Sequence, residues 1–177
     1  MQSPQPRIIL GLDPALHKTG WGVIRQDGSR LSFIACGTII TNPKDETPAR
    51  LAHLYTALQG IVAEYRPHTA AVEEVYVNNN ARTSLVLGQA RGMCLLVPTL
   101  AGLSVGEYPP RLVKKALVGN GAAEKEQVAF MVKTLLPAAK VALANHGADA
   151  TDALAIAITH AHTPLAPAAK PAHTAAK

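Results

Sequence analysis

Hydrophobic and polar positions change from a strand-like to a helix-like pattern along the chain. Three apolar runs open the sequence, over residues 7–13, 20–26 and 31–40. The pair Asp27-Gly28, which is typical of tight hairpin turns, separates the second run from the third. The short connections between these runs predict an antiparallel meander of three strands.

Helical periodicity dominates the rest of the chain. A helix is predicted over residues 48–65, with Thr47 as its N-cap, Pro48 at its first position, and Leu51, Leu54, Leu58, Ile61 and Val62 on one face. Short buried strands are predicted over 69–75 and 104–108, and further helices over 81–96, 111–118, 124–136 and 148–162. Helices between strands imply parallel crossovers. We therefore predict an α/β fold whose five-stranded mixed sheet combines the meander with two parallel strands and is flanked by helices.

Composition narrows the class of protein. Residues 163–177 are almost wholly Ala, Pro, Lys, His and Thr, which predicts a flexible tail after one folded domain over 1–162. A net charge of +5 favours a polyanionic partner. Cys36 and Cys94 form no C-x-x-C motif, and two reduced thiols in a cytoplasmic protein are expected. No apolar run approaches the roughly 20 residues that a membrane span needs.

Two acidic sites interrupt apolar strands. Asp13 closes the first strand, and Glu73 and Glu74 follow Ala70-Ala71-Val72 within another. A carboxylate on a buried strand is costly unless a positive group compensates it. A turn residue before Pro14 is the structural alternative for Asp13. Strand alternation allows only one of Glu73 and Glu74 on a given face, and the pattern does not say which.

A second acidic pair, Asp149 and Asp152, lies three residues apart at the start of the last predicted helix and so shares one face. These acids can simply favour the helix macrodipole. The residues that follow are apolar all round, however, which predicts a buried helix with its acids in an interior cleft. Four converging acids repel one another, and two divalent cations with oxygen ligands remove that repulsion. Carboxylates favour Mg²⁺ or Mn²⁺ over zinc, and such metal pairs are typical of phosphoryl hydrolysis.

Six segments between residues 7 and 162, in this order, resemble the RuvC-type Holliday-junction resolvases of bacteria. Each segment alone is weakly specific, but the ordered set is highly specific. The matching segments are Ile9-Leu10-Gly11-Leu12-Asp13-Pro14, Thr19-Gly20-Trp21-Gly22-Val23-Ile24, Val72-Glu73-Glu74-Val75, Leu87-Gly88-Gln89-Ala90-Arg91-Gly92, Ala123-Glu124-Lys125 and Ala148-Asp149-Ala150-Thr151-Asp152-Ala153-Leu154-Ala155-Ile156-Ala157.

The resemblance implies a ribonuclease H-like fold and an endonuclease that resolves four-way DNA junctions by paired symmetric nicks, in homologous recombination and DNA repair. It also implies two Mg²⁺ ions per subunit, with Mn²⁺ able to substitute. The family's metal ligands fall on Asp13, Glu73, Asp149 and Asp152, which selects Glu73 over Glu74. Its catalytic-site lysines fall on Lys114 and Lys125, which from the pattern alone belong to solvated helix faces.

DNA contacts and partners are also implied. An aromatic residue that the family places near opened base pairs corresponds to Tyr76, otherwise a half-buried residue at a strand end. Backbone phosphates are expected to contact Arg82, Arg91 and Arg111. The family is homodimeric, which suits a two-fold symmetric junction, and contact with the branch-migration proteins RuvA and RuvB is implied. A stripe of small residues spaced by four allows close backbone approach, either within the core or across a dimer; it comprises Ser84, Gly88 and Gly92.

The sequence departs from the family pattern at two points. Ala15 stands where the family usually has glycine after Asp-Pro, which is costly if that position needs a positive φ. Pro109-Pro110 can shift the start of the helix that carries Lys114. Neither departure removes an acidic residue.

Other functions use related features. A ribonuclease H-like nuclease acting on structured RNA would use the same four acids. A junction-binding subunit with vestigial acids is the non-enzymatic alternative, and retention of all four acids argues against it. An actin-like ATPase needs a second domain that 177 residues cannot hold. A haloacid-type phosphatase needs an aspartate where this chain has Ala15.

Overall fold

A computed structural model describes residues 5–74 and 80–163. Its single sheet has five strands in the order β3-β2-β1-β4-β5: β1 (Arg7–Asp13), β2 (Lys18–Asp27), β3 (Arg30–Ile40), β4 (Thr69–Glu73) and β5 (Ser104–Tyr108). Strands β1, β2 and β3 pair antiparallel, whereas β4 pairs parallel with β1 and with β5. The predicted mixed sheet with an opening meander is confirmed. Strand β4 ends at Glu73, short of the predicted residue 75. Val75, Tyr76 and the tail beyond residue 163 lie outside the described residues.

Five α-helices flank the sheet in the described ranges: α1 (Thr47–Tyr65), α2 (Ala81–Leu100), α3 (Pro110–Val118), α4 (Lys125–Leu135) and α5 (Lys140–His162). The N-cap prediction for α1 was wrong, because Thr47 is already helical and Glu46 takes the cap position. Helix α2 runs past the predicted end at residue 96, because Val97 and Pro98 extend its buried face. Within these ranges no single helix is long and apolar enough to cross a membrane; α4 and the segment Pro137–His162 meet those criteria only together, as a pair bent by 111°.

Helix α5 begins earlier than the predicted residue 148. Gly147, with φ 75° and ψ −154°, interrupts its helical geometry, so the part that carries the acidic pair does start at Ala148. The turns before the glycine were missed because Leu143 is their one fully buried apolar anchor, too few to give a helical period. Asp149 follows this bend by two residues.

Strand alternation divides the core into two layers. One face of the sheet, with Leu10, Leu12 and Val72, packs against α1 and α2, and the other, with Ile9 and Ala71, packs against α3, α4 and α5. Cβ atoms added to three strand glycines on the second face would lie 2.0 to 2.7 Å from the nearest atom of α5; these are Gly11, Gly20 and Gly22. The absence of side chains there lets α5 lie directly on β1 and β2.

Candidate active site

Register and alternation bring the two strand acids together. Leu12 of β1 pairs with Val72 of the parallel strand β4, so the next residues, Asp13 and Glu73, lie side by side at the carboxyl ends of both strands. Both have the strand parity of the face that packs against α5. Glu74 follows the end of β4, where its backbone N–H donates to the carbonyl of Tyr108. The geometry thus places Glu73, and not Glu74, toward the cleft.

Helix α5 supplies the other two acids. The backbone of Asp149 can approach β2 closely because Gly20 has no side chain. A Cβ at Gly20 would lie 2.0 Å from the Asp149 carbonyl oxygen. Asp152 follows one turn later on the same face and is partly buried. Mutual repulsion acts among all four carboxylates, since Glu73, Asp152 and Asp149 each raise the pKa of Asp13. The four acids predicted from the sequence therefore share one electrostatic site.

Burial and repulsion make three of these carboxyls hard to ionise, those of Asp13, Glu73 and Asp152. Burial, followed by repulsion from Glu73, Asp152 and Asp149, raises the pKa of Asp13 from 3.8 to about 8. Burial and the Asp152 carboxylate raise the pKa of Glu73 from 4.5 to about 7. The pKa of Asp152 is also raised, mainly by burial. A cluster of carboxyls with raised pKa values is suited to binding a cation, because the positive charge stabilises the ionised carboxylates.

Two predicted lysines flank the acids. Lys125 Nζ lies 3.7 Å from Asp152 Oδ2, although 78% of the lysine side chain is exposed. Lys114 and Lys125 each lower the pKa of Glu73, which opposes the effect of burial. All four of these side chains line a cavity of about 240 Å³, whose remaining walls are apolar: Pro110, Val113, Val128 and Ala155. The cavity therefore combines two carboxylates, two ammonium groups and an apolar wall.

A third lysine was not identified from the sequence. Lys18 Nζ lies 2.9 Å from Asp149 Oδ2, with 39% and 33% of the two side chains exposed. Lys18 begins β2, only two residues before Gly20, the register partner of Asp13. Strand alternation places it on the same face as Gly20, and this parity was the available signal.

The acids do not form a ready-made metal site. Across residues 5–74 and 80–163, no three His, Cys, Asp or Glu side chains are grouped closely enough to hold an ion. The electrostatic coupling of the carboxylates nevertheless shows that they are near neighbours. Two of the four carboxylates already have a cationic partner, because Lys18 pairs with Asp149 and Lys125 lies near Asp152. The donor set fits a hard divalent cation by its charge and by its oxygen atoms.

The predicted phosphate contacts differ in accessibility. Arg91 forms an ion pair with Glu107 and donates from Nε to the carbonyl of Glu73 at 3.4 Å, so it is engaged within the protein. Arg82 is exposed and lines a groove of about 360 Å³. Arg111 is exposed near the start of α3. Tyr76 lies outside the described residues.

The departures from the family pattern cause no strain at Ala15. Arg66 is the one non-glycine residue with positive φ in the described ranges, so Ala15 has an ordinary backbone conformation. The Thr19 hydroxyl donates to the Ala15 carbonyl at 2.5 Å and holds the loop after β1. Helix α3 starts at Pro110, one residue before the predicted start. The loop after Asp13 is thus built without a glycine.

A mixed five-stranded sheet with acids at the ends of two adjacent central strands and on the helix packed against them defines a ribonuclease H-like nuclease. The model of the family described as crossover junction endodeoxyribonuclease RuvC matches residues 9–160. Relatives of that description from Zymomonas mobilis and Caulobacter vibrioides are 56% and 50% identical over 155 and 161 residues, covering 88% and 91% of this chain and 90% and 93% of theirs. The chain belongs to the RuvC family of crossover junction endodeoxyribonucleases.

Solved structures agree with this assignment. RuvC of Thermus thermophilus in complex with a Holliday junction substrate is 31% identical, covers 88% of this chain and 93% of its own, and superposes with a TM-score of 0.79. The yeast mitochondrial Holliday junction resolvase Ydc2, at 13% identity and a TM-score of 0.66, shares the fold. The ribonuclease H-like fold that the sequence predicted is therefore confirmed.

Proposed function

We propose that this protein resolves four-way DNA junctions by magnesium-dependent hydrolysis of one phosphodiester bond per active site. The observation that carries the proposal is the partly buried pair Asp13 and Glu73, which lie at the ends of adjacent parallel strands, close to Asp152 and to two lysines. The Thermus thermophilus relative, whose structure contains a Holliday junction substrate, supports junction DNA as the substrate here.

The four carboxylates would hold two Mg²⁺ ions per subunit, or Mn²⁺ in their place: Asp13, Glu73, Asp149 and Asp152. When bound, the metal would supply activation of the attacking water and stabilisation of the leaving 3′ oxygen, which leaves a 5′-phosphate end. Lys114 and Lys125 line the cavity beside Glu73 and Asp152, where their ammonium groups offset negative charge on the phosphoryl oxygens. The apolar wall of the cavity limits water and strengthens these charge interactions.

DNA positioning is assigned to basic and aromatic side chains outside the acidic site. Exposed Arg82 and Arg111 are suited to backbone phosphates. Arg91 is better suited to holding the end of β4, because its guanidinium already pairs with Glu107. For Tyr76 the contact with opened base pairs rests on family membership alone.

A homodimer completes the proposal. A Cβ added at Gly88 or Gly92 would meet no atom of residues 5–74 and 80–163 within 4 Å, so this part of the small-residue stripe on α2 does not pack against the described part of the subunit. The stripe therefore favours contact with a second copy over packing in the core. A two-fold dimer would place one active site on each of two like strands of the junction.

The remaining proposals follow from family membership and composition. They are a cytoplasmic location, contact with the RuvA–RuvB branch-migration complex, and a nuclease domain over 1–162 with a dispensable tail over 163–177. Deleting the tail is expected to leave cleavage chemistry intact. Loss of folding on truncation would contradict this division.

Substrate selectivity tests the proposed function. The full chain is incubated with a synthetic four-way junction, a linear DNA duplex of one arm's sequence, and a structured RNA, each with and without Mg²⁺. We expect magnesium-dependent paired nicks in the junction and little cleavage of the other two substrates. Preferential cleavage of the RNA would favour the ribonuclease alternative, and junction binding without any cleavage would favour the non-enzymatic one.

A further inference from the structure

Lys18 forms an ion pair with one of the four acids, and the proposed function gives this lysine no role. Its Nζ lies 2.9 Å from Asp149 Oδ2, against 3.7 Å for the pair of Lys125 with Asp152. Lys18 is also the better enclosed of the two lysines, with 39% of its side chain exposed against 78%. An ion pair that is shorter and less solvated is the stronger restraint on its carboxylate.

Both partners are held in place by the backbone. Lys18 is the first residue of β2 and pairs with Ile40 of β3, which fixes its main chain within the sheet. Two residues later, Gly20 lies against the Asp149 carbonyl oxygen, which fixes the distance between β2 and α5. The bend at Gly147 lies close to the lysine, since a Cβ at this glycine would be 3.9 Å from Lys18 Nζ. The contact between Lys18 and Asp149 therefore follows from the packing of two rigid elements.

The contact between Lys18 and Asp149 changes the net charge of the whole cluster of four carboxylates. Among the described residues, the pair of Lys18 with Asp149 is the shortest ion pair that any of the four acids forms. Asp149, Glu73 and Asp152 each repel the Asp13 carboxylate, in addition to the effect of its burial. Lys18 partly neutralises Asp149, one of these four acids. The cluster that a divalent cation meets is thereby less negative than four free carboxylates would be.

We propose that Lys18 is an internal counter-ion that holds Asp149 in the metal-free protein and competes with Mg²⁺ for that carboxylate. This inference rests on the proposed magnesium site. A divalent cation that binds Asp149 must either displace the Lys18 ammonium group or bind beside it and be repelled by its charge. Both effects weaken metal binding. The same contact keeps the metal-free cluster folded by reducing repulsion among its acids.

A positioning role predicts the opposite sign. If the ammonium group only oriented Asp149 toward the metal, its removal would leave that carboxylate mobile and weaken metal binding. Competition predicts tighter binding after removal. The direction of the change in affinity therefore separates the two roles without any measurement of cleavage.

The test is calorimetric titration of Mg²⁺ into the full chain without DNA at low ionic strength. Lys18→Met keeps the length of the side chain but removes the charge, and Lys18→Arg keeps the charge. Lys133→Met, in the last turn of α4, removes the same charge away from the acids. We expect Lys18→Met to bind Mg²⁺ roughly two- to fivefold more tightly than the wild type, the range of a partly exposed ion pair. Both other variants should bind as the wild type does.

Thermal unfolding provides the second readout. Without metal, Lys18→Met should unfold at a lower temperature than the wild type, and saturating Mg²⁺ should close that gap because it binds the folded variant more tightly. Lys18→Gln serves in the same way if Lys18→Met does not fold. Unchanged or weaker Mg²⁺ binding by the charge-removed variant overturns the competing role while leaving the metal site intact. Absence of Mg²⁺ binding by the wild type overturns the proposed metal site as well.

Discussion

Replacing Asp13 by asparagine should stabilise the metal-free protein, although it removes a proposed metal ligand. Asparagine has nearly the same shape and cannot ionise. Burial and three neighbouring carboxylates raise the pKa of Asp13 from 3.8 to about 8. The unfolded chain releases this proton near pH 4, whereas the folded protein retains it until about pH 8. Between these values the wild type loses stability as the pH rises, and the variant, which lacks this carboxyl, loses less.

The magnitude follows from the same shift. Each pH unit above the unfolded pKa costs about 1.4 kcal/mol until the folded pKa is reached, which gives about 4 kcal/mol at pH 7. Asp13, Glu73 and Asp152 share their ionisation, so we expect a gain of about 2 to 4 kcal/mol for Asp13→Asn. For a chain of this size, that is an increase of roughly 5 to 15 °C in Tm.

Thermal unfolding in a chelating buffer, measured at several values between pH 4 and 8, checks this prediction. The difference in Tm between variant and wild type should be near zero at pH 4 and should increase up to pH 8. Asp27→Asn is the matched control, because 59% of the Asp27 side chain is exposed in the hairpin turn, and no such gain is expected there. With saturating Mg²⁺ the wild type should recover relative to Asp13→Asn. A metal-free variant that is no more stable than the wild type at pH 7 would refute the reasoning.

Three other predictions concern the packing of Gly20, the titration of His160 and the contact of Arg82 with phosphates. Gly20→Ala should cost at least about 2 kcal/mol in urea unfolding, because its Cβ would lie 2.0 Å from a carbonyl oxygen of α5. Gly60→Ala, whose Cβ would meet no atom of the described residues within 4 Å, should be neutral or stabilising. Burial lowers the pKa of His160 from 6.5 to about 4, so its stabilising contribution is lost as the pH falls through that interval. His160→Gln should therefore show a smaller loss of unfolding free energy over that range than the wild type. Arg82→Ala should reduce the slope of log affinity against log salt by roughly one, and ion-paired Arg91→Ala should leave that slope unchanged.

The sheet could be predicted from the sequence because its strands have clear ends. The boundaries of β1 and β5 agree with the prediction, since Pro14 follows the first strand and Tyr108 is followed by two prolines. The start of α5 could not be predicted, because its bend depends on a positive φ at Gly147. A glycine permits that conformation without requiring it.

The acidic site could be predicted in composition but not in its ion pairs. Asp13 and Glu73 interrupt apolar strands, which is an unusual pattern and therefore informative. Lys18 and Arg91 give no comparable signal, because lysine and arginine are common at strand ends and on helix faces. Their partners, Asp149 and Glu107, are distant in the sequence and meet them only when β2 approaches α5 and α2 approaches β5.

Single-turnover cleavage of a prebound synthetic four-way junction, started by adding Mg²⁺, tests the central claim most directly. Four amide variants should each lose at least roughly a hundredfold in rate while still binding the junction: Asp13→Asn, Glu73→Gln, Asp149→Asn and Asp152→Asn. Glu74→Gln, which makes the same chemical change one residue beyond β4, should cleave at nearly the wild-type rate. Cleavage at the wild-type rate by any of the four variants, or by the wild type in a chelator, would contradict the account.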